Sequence, residues 1–210
     1  MSRFFMEESS FQILYFWPPC TQFSQRMKIL SAFFHRHASW RTLGIAFVAY
    51  LLFSALLLPQ AEQTINRAAG REVGIIDLGI GFDLEKMKQQ VADYGETGRL
   101  YYRRTEMTLD VLYPLAYAAF FSLMLSLLMR GLPLGEGWQR WNVLPFVVVA
   151  FDYLENIFLV MMLSAYPDWN ETTALLCAVF RFLKWILFAA MGVLILYLIG
   201  WRLLRRRAVA

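Results

Sequence analysis

Residues 141–200 read WNVLPFVVVAFDYLENIFLVMMLSAYPDWNETTALLCAVFRFLKWILFAAMGVLILYLIG, two long apolar runs joined by the turn Tyr166-Pro167-Asp168-Trp169-Asn170. At about 1.5 Å per helical residue, each run can cross a hydrocarbon layer roughly 30 Å thick. Each also carries charge near its middle. The first places Asp152, Glu155 and Asn156 on one helical face, and the second places Arg181 and Lys184 on one face at the same i, i+3 spacing. A charge facing lipid at mid-depth costs roughly 2.5–3.5 kcal/mol, so all four must turn inward. Counting outward from the turn levels Glu155 with Arg181 and Asp152 with Lys184. The expected arrangement is an antiparallel hairpin carrying two buried ion pairs.

The rest of the chain supplies two more spans. One covers about residues 42–58, between Trp40-Arg41 and Pro59; the other covers about 109–129 and stops at Arg130-Gly131. With 141–165 and 172–200 they make an all-α, four-helix transmembrane bundle. A cleaved signal peptide is the rival reading of the first run, but Leu58-Pro59-Gln60-Ala61 lacks small residues at both positions of a cleavage site. Composition agrees with a membrane protein: 59% of residues are hydrophobic, against roughly 45–50% in soluble domains, and the mean hydropathy is +0.45. A soluble domain of this size has too little interior to hide so much apolar surface.

The net charge of +4 sits at the ends of the apolar runs rather than on one soluble face, which excludes a nucleic-acid reader. It does set orientation. Arg3, Arg26, Lys28, Arg36 and Arg41 precede the first span, the region of the connector 132–140 holds Arg130 and Arg140, and Arg202, Arg205, Arg206 and Arg207 follow the fourth; the 166–170 turn has no Lys or Arg. Both termini are therefore expected in the cytoplasm. Cys20 and Cys177 lie in a tail and in an apolar span, so no structural disulfide is expected.

Outside the spans, residues 1–37 read as a cytoplasmic tail, either disordered or upstream of a true start at Met27, with His35 and His37 as surface histidines. Residues 203–210 read as a basic tail. Residues 60–108 form an extracytoplasmic segment. Gly70, Gly74, Gly79 and Gly81 break its first half into loop. Asp83 then reads as the N-cap of a short amphipathic helix bearing Leu84, Met87, Val91 and Tyr94, closed by Gly95. That helix lies on the membrane surface or caps the bundle.

A third polar face joins the two in the hairpin. Arg99, Arg103, Glu106, Asp110, Tyr113 and Tyr117 follow steps of three and four and form one stripe along a helix. Asp152 and Glu155 are the candidate acid–base pair. Arg99, Asp110, Tyr113, Tyr117, Asn156, Arg181 and Lys184 are candidates to line a ligand pocket, with the two cations holding a phosphate or carboxylate headgroup. The competing reading is a purely structural ion-pair network that fixes helix register. No histidine or cysteine accompanies the acids, so no metal site and no cofactor are expected; oxygen-only ligation would suit Mg²⁺ or Ca²⁺. Nucleophilic triads, CxxC pairs and phosphate-binding glycine loops are absent from the sequence.

The pattern Gly98-Arg99 with Tyr102, then Asp110, Pro114 and Tyr117, then Asp152-x-x-Glu155-Asn156 and Lys184, resembles a family of bacterial four-helix integral membrane proteins without an established activity. The resemblance spans about residues 40–200, adds Tyr102 to the candidate lining and implies a bacterial inner membrane. Four spans with inward acids also look loosely like the emopamil-binding, sterol-isomerase-type membrane fold, by analogy alone. The expected function is binding of an amphiphilic or anionic small ligand or membrane lipid, with acid–base chemistry at the pocket. The alternative is a non-catalytic subunit or assembly factor of a larger membrane complex, or a homo-oligomer.

Overall fold

The computed structural model describes residues 20–79, 81–168 and 170–209, and among these it is helix and loop throughout. In chain order the elements are α1 (Cys20–His37), α2 (Trp40–Leu51), a π-helical stretch (Leu52–Leu57), α3 (Leu58–Ala69), a 3₁₀ turn (Ile76–Leu78), α4 (Leu84–Asp93), α5 (Gly95–Met129), α6 (Glu136–Gln139), a second 3₁₀ turn (Arg140–Val143), α7 (Leu144–Ala165) and α8 (Glu171–Val209). Four continuous helical segments are long and apolar enough to cross a bilayer: Trp40–Ala69, Gly95–Met129, Gly137–Ala165 and Glu171–Arg205. The chain is an all-α, four-helix membrane protein.

The first span starts on a capping box, with the Ser39 side chain accepting from Thr42 N (3.2 Å) and Thr42 Oγ1 accepting from Ser39 N (3.0 Å). It does not stop at Pro59, where the sequence suggests an end. Proline lacks an N–H and crowds the carbonyl four residues back, which usually breaks a helix. Here the π-helical stretch widens the preceding turn, and Leu58 N donates to Phe53 O, five residues away. The helix therefore passes through Pro59 and ends at Gly70, whose φ of 72° supplies the left-handed residue that closes it. Residues 60–69, expected as part of the external loop, are the last turns of this span.

The ends also differ from expectation. Residues 1–19 of the predicted tail lie outside the described residues, but Cys20–His37, including Met27, form α1. This helix packs on the bundle. Phe34 enters the core beside Leu123 and Leu127, Asn142 Nδ2 donates to Ser31 O at 3.1 Å, His35 Nε2 donates to Gln139 O at 2.9 Å, and Arg130 donates to Ala38 O at 2.7 Å. At the same end α8 runs past residue 200 to Val209. Arg202 and Arg205 donate to the carbonyls of Arg130 and Gly131, at 2.6 and 2.7 Å, and so satisfy acceptors just beyond the C-terminus of α5.

Within the bundle α7 lies along α8, α5 packs on α7, and the first span rests chiefly on α5. Pro114 inside α5 sets the register between α5 and α7. It has no N–H to donate to the Asp110 carbonyl. Asn156 of α7 donates there instead, at 3.4 Å, and the Tyr153 hydroxyl donates to the adjacent Val111 carbonyl at 2.7 Å. A gap made by one helix is filled by side chains of its neighbour.

The opposite end is closed by α4. Asp83 caps it, accepting from Lys86 N at 2.9 Å, and Met87 and Val91, with Tyr94 just beyond, pack into the core with Ile65, Tyr102 and Leu159. Burial, and then the nearby Asp77 carboxylate, raise the Tyr94 phenol above its usual range. The helix caps the bundle rather than lying apart from it.

Candidate functional site

The i, i+3 spacing in α7 and α8 turns the hairpin charges toward one another; the expected Asp152–Lys184 pair forms, but the expected Glu155–Arg181 pair does not. Lys184 Nζ takes both acids of α7, lying 2.5 Å from Glu155 Oε2 and 3.2 Å from Asp152 Oδ1. The Tyr117 hydroxyl of α5 donates to the other Asp152 oxygen at 2.9 Å. All of these side chains are buried. Glu155 lies ten residues before the end of α7, so the cluster is about 15 Å from that end, near mid-depth.

Arg181 makes no ion pair with Glu155, which corrects the depth-matched pairing. Counting from the turn fixes depth, whereas Arg181 sits three residues before Lys184 and is rotated about 60° around α8. It points instead into the segment joining the first span to α4. There Nη1 donates to Ile76 O at 2.9 Å, and Nη2 to Gly81 O at 2.8 Å. The two cations that the sequence suggests as one headgroup clamp are thus drawn to different partners, Lys184 to the acids of α7 and Arg181 to backbone carbonyls.

The segment held by Arg181 is a plug. Asn66 Oδ1 accepts from Val73 N and Gly74 N at 3.0 and 3.3 Å, and the Tyr94 hydroxyl donates to Gly74 O at 2.8 Å. The Tyr102 hydroxyl accepts from Ile76 N at 2.9 Å and donates to the Asp77 carboxylate. Trp185 Nε1 donates to Asp77 O at 3.3 Å. Partners from α3, α5 and α8, with Tyr94 between α4 and α5, thus drive Ile76 into the core and bring Asp77 beside the acids of α5.

There Asp77, Glu106 and Asp110 present carboxylate oxygens that all lie within 4.8 Å of one another. Glu106 is 2% exposed, and neither of its oxygens has a donor among the described residues. A cavity of about 200 Å³ opens onto this group. Its acidic and phenolic side is Asp77, Tyr102, Glu106, Asp110, Tyr113 and Asp152; its other wall is the first span, with Ser54, Leu58, Pro59, Ala61, Glu62 and Ile65. The cavity is amphipathic.

Of the predicted site residues, Tyr102, Asp110, Tyr113 and Asp152 line this cavity. Glu155, Tyr117 and Lys184 form the network around Asp152, and Asn156 holds the Asp110 carbonyl. Arg181 borders a different cavity, of about 360 Å³, on the α4 side of the plug. Arg99 is elsewhere: it donates to Val91 O at 3.3 Å, its guanidinium lies 3.9 Å from the Tyr166 ring centroid, and with Arg103 it borders a separate cavity of about 350 Å³. The upper stripe of α5 therefore divides, its arginines going to one side and its acids to the other. Asp77 was missed altogether, since a lone acid in a glycine-rich loop shows no periodicity. Glu106 was visible in the stripe but was not among the candidates.

Chemically the site is an excess of anion. Asp77, Glu106, Asp110, Asp152 and Glu155 converge on the space between α5, α7 and the plug, while Lys184 is the one ammonium in contact with any of them among the described residues. Such a group requires protons or a bound cation to be stable in a low-dielectric interior. No protein-family model, curated protein or solved structure matches the chain, so what stands is a multi-pass membrane protein with buried acidic and basic residues.

Proposed function

We propose that the protein binds a small amphiphile within the membrane, in the cavity between the first span and α5. The observation that carries this reading is the two-sided lining. Leu58, Pro59, Ala61 and Ile65, with Ser54 and Glu62 among them, face Asp77, Glu106, Asp110 and Asp152 across about 200 Å³, a largely apolar wall opposite convergent polar groups, the mixture that marks ligand sites. That volume suits a headgroup and the first atoms of a chain, with the remainder lying along the exposed first span. The floor's surplus of carboxylates means that a head must meet positive charge there, carried by the ligand itself or by a cation bound to the carboxylates. Asp152 reaches the cavity while held by Tyr117 and Lys184, and is the group placed for proton transfer. Glu155 sits behind it.

The basic flanks support an orientation with both termini and the 132–140 connector in the cytoplasm of a bacterial cell, and the plug and α4 facing outward across the inner membrane. Lipid covers the exposed apolar faces of the first span and α8. The test is native mass spectrometry of the full chain released from detergent. A co-purifying amphiphile is expected on the unmodified protein and absent from Ala61→Trp, which fills the cavity from its apolar wall. Equal retention by both rejects the assignment.

A further inference from the structure

We infer that Asp77, Glu106 and Asp110 form a binding site for a hard divalent cation of the Mg²⁺, Ca²⁺ or Mn²⁺ class. The inference rests on the cavity reading above and names the source of the positive charge that the ligand head meets.

Three carboxylates from two separate parts of the chain bring ligand oxygens within 4.8 Å of one another, a spread that one ion can bridge at ordinary metal–oxygen distances of roughly 2.0–2.6 Å. Proximity of acids alone would mean little. The second observation is Glu106. At 2% exposure it presents two oxygens with no donor among the described residues, beside the cavity. Buried carboxylates are ordinarily paired or hydrogen-bonded, and Lys184, the nearby ammonium, is already committed to Asp152 and Glu155.

Of the other two, the Asp77 carboxylate is held by a donor, and the backbone of Asp110 is fixed. Tyr102 donates to Asp77, and Trp185 and Arg181 hold the backbone of the same segment; Asn156 grips the carbonyl of Asp110. These are the supporting contacts that fix metal-ligand geometry. The donor set is all oxygen, without sulfur or imidazole, which selects hard cations over Zn²⁺ or Cu²⁺. Hard cations take six or more ligands. The cavity leaves room for water, or for oxygen atoms of the amphiphile's head, to complete the shell. The sequence gives no metal site because no histidine or cysteine accompanies the acids of the spans, and the third carboxylate comes from the plug.

The test uses the purified full chain in detergent, stripped with a chelator and titrated with Mn²⁺, with free Mn²⁺ read by electron paramagnetic resonance. One Mn²⁺ per chain is expected, displaced by excess Mg²⁺ or Ca²⁺. Glu106→Gln and Asp110→Asn should each weaken it at least tenfold, and Glu85→Gln, on the exposed face of α4, should leave it unchanged. Thermal melts without metal separate misfolding from loss of the site. Removing an unpaired buried charge should keep or raise the melting temperature of Glu106→Gln, while added Mn²⁺ should raise that of the unmodified chain and Glu85→Gln but not that of Glu106→Gln. Equal Mn²⁺ binding by the unmodified protein and Glu106→Gln, or no binding at all, overturns the site. The amphiphile reading is judged separately. A species lost in Ala61→Trp survives failure of the metal, and Mn²⁺ binding without any such species leaves the metal site standing alone.

Discussion

Replacing Lys184 by Met removes the charge shared by Asp152 and Glu155 while keeping most of the side-chain volume. The two separations, 2.5 and 3.2 Å, correspond to roughly 5–7 kcal/mol of attraction per pair at an effective dielectric of about 20. Desolvation of the three ions offsets much of this, so the intact cluster adds little net stability. Breaking it is different, because the fully buried Glu155 then loses its cation and Asp152 keeps only the Tyr117 hydroxyl. The expected loss for Lys184→Met is about 3–5 kcal/mol. Adding Asp152→Asn and Glu155→Gln removes the stranded charge, and the triple variant should recover at least about 2 kcal/mol of that loss. The measurement is reversible unfolding of the full chain in mixed micelles, titrated with sodium dodecyl sulfate and followed by circular dichroism. Additive losses, with the triple variant weaker than the single by the sum of the two acid substitutions, would refute the shared-charge argument.

Two further outcomes follow from side chains that serve backbone groups. Asn156→Leu leaves the Asp110 carbonyl without a donor and should cost about 1–3 kcal/mol; the cost should shrink when Pro114→Ala restores an N–H to that carbonyl, a coupling read from a double-mutant cycle in the same assay. Tyr102→Phe removes the acceptor for Ile76 N and the donor to Asp77, so hydrogen exchange at the Ile76 amide should accelerate and protease should cut the 70–83 segment sooner, with the four spans retained.

The spans were legible because a bilayer imposes length and apolarity that any reader of the chain can count, and the inward faces were legible because charge at mid-depth has nowhere else to go. What the chain did not reveal was azimuth. Arg181 and Lys184 share a broad face, yet the roughly 60° between them sends one to the plug and the other to α7. The same limit hid the split in the α5 stripe, where Arg99 finds Tyr166 while Glu106 and Asp110 find Asp77. Pro59 misled because its effect depends on the turn before it, and a π-helical widening has no sequence signature of its own. Asp77 was out of reach for a deeper reason. Its position is set by Tyr102, Trp185 and the Arg181-held backbone around it, all contacts made only once the bundle exists.

The first span is one wall of the cavity, yet it buries little of its surface and leans chiefly on α5. The wall facing it belongs to elements locked together by Lys184, by Asn156 over the Pro114 gap and by the anchored plug. Moving that one helix leaves the Lys184 and Asn156 locks intact and strains only its outer end, where Ile65 packs in the core and Asn66 holds the plug. On the proposed reading, an amphiphile diffusing in the leaflet would enter by a side door, at the helix that buries least of itself in the bundle, directly from the acyl chains, and neither end of the bundle would have to part.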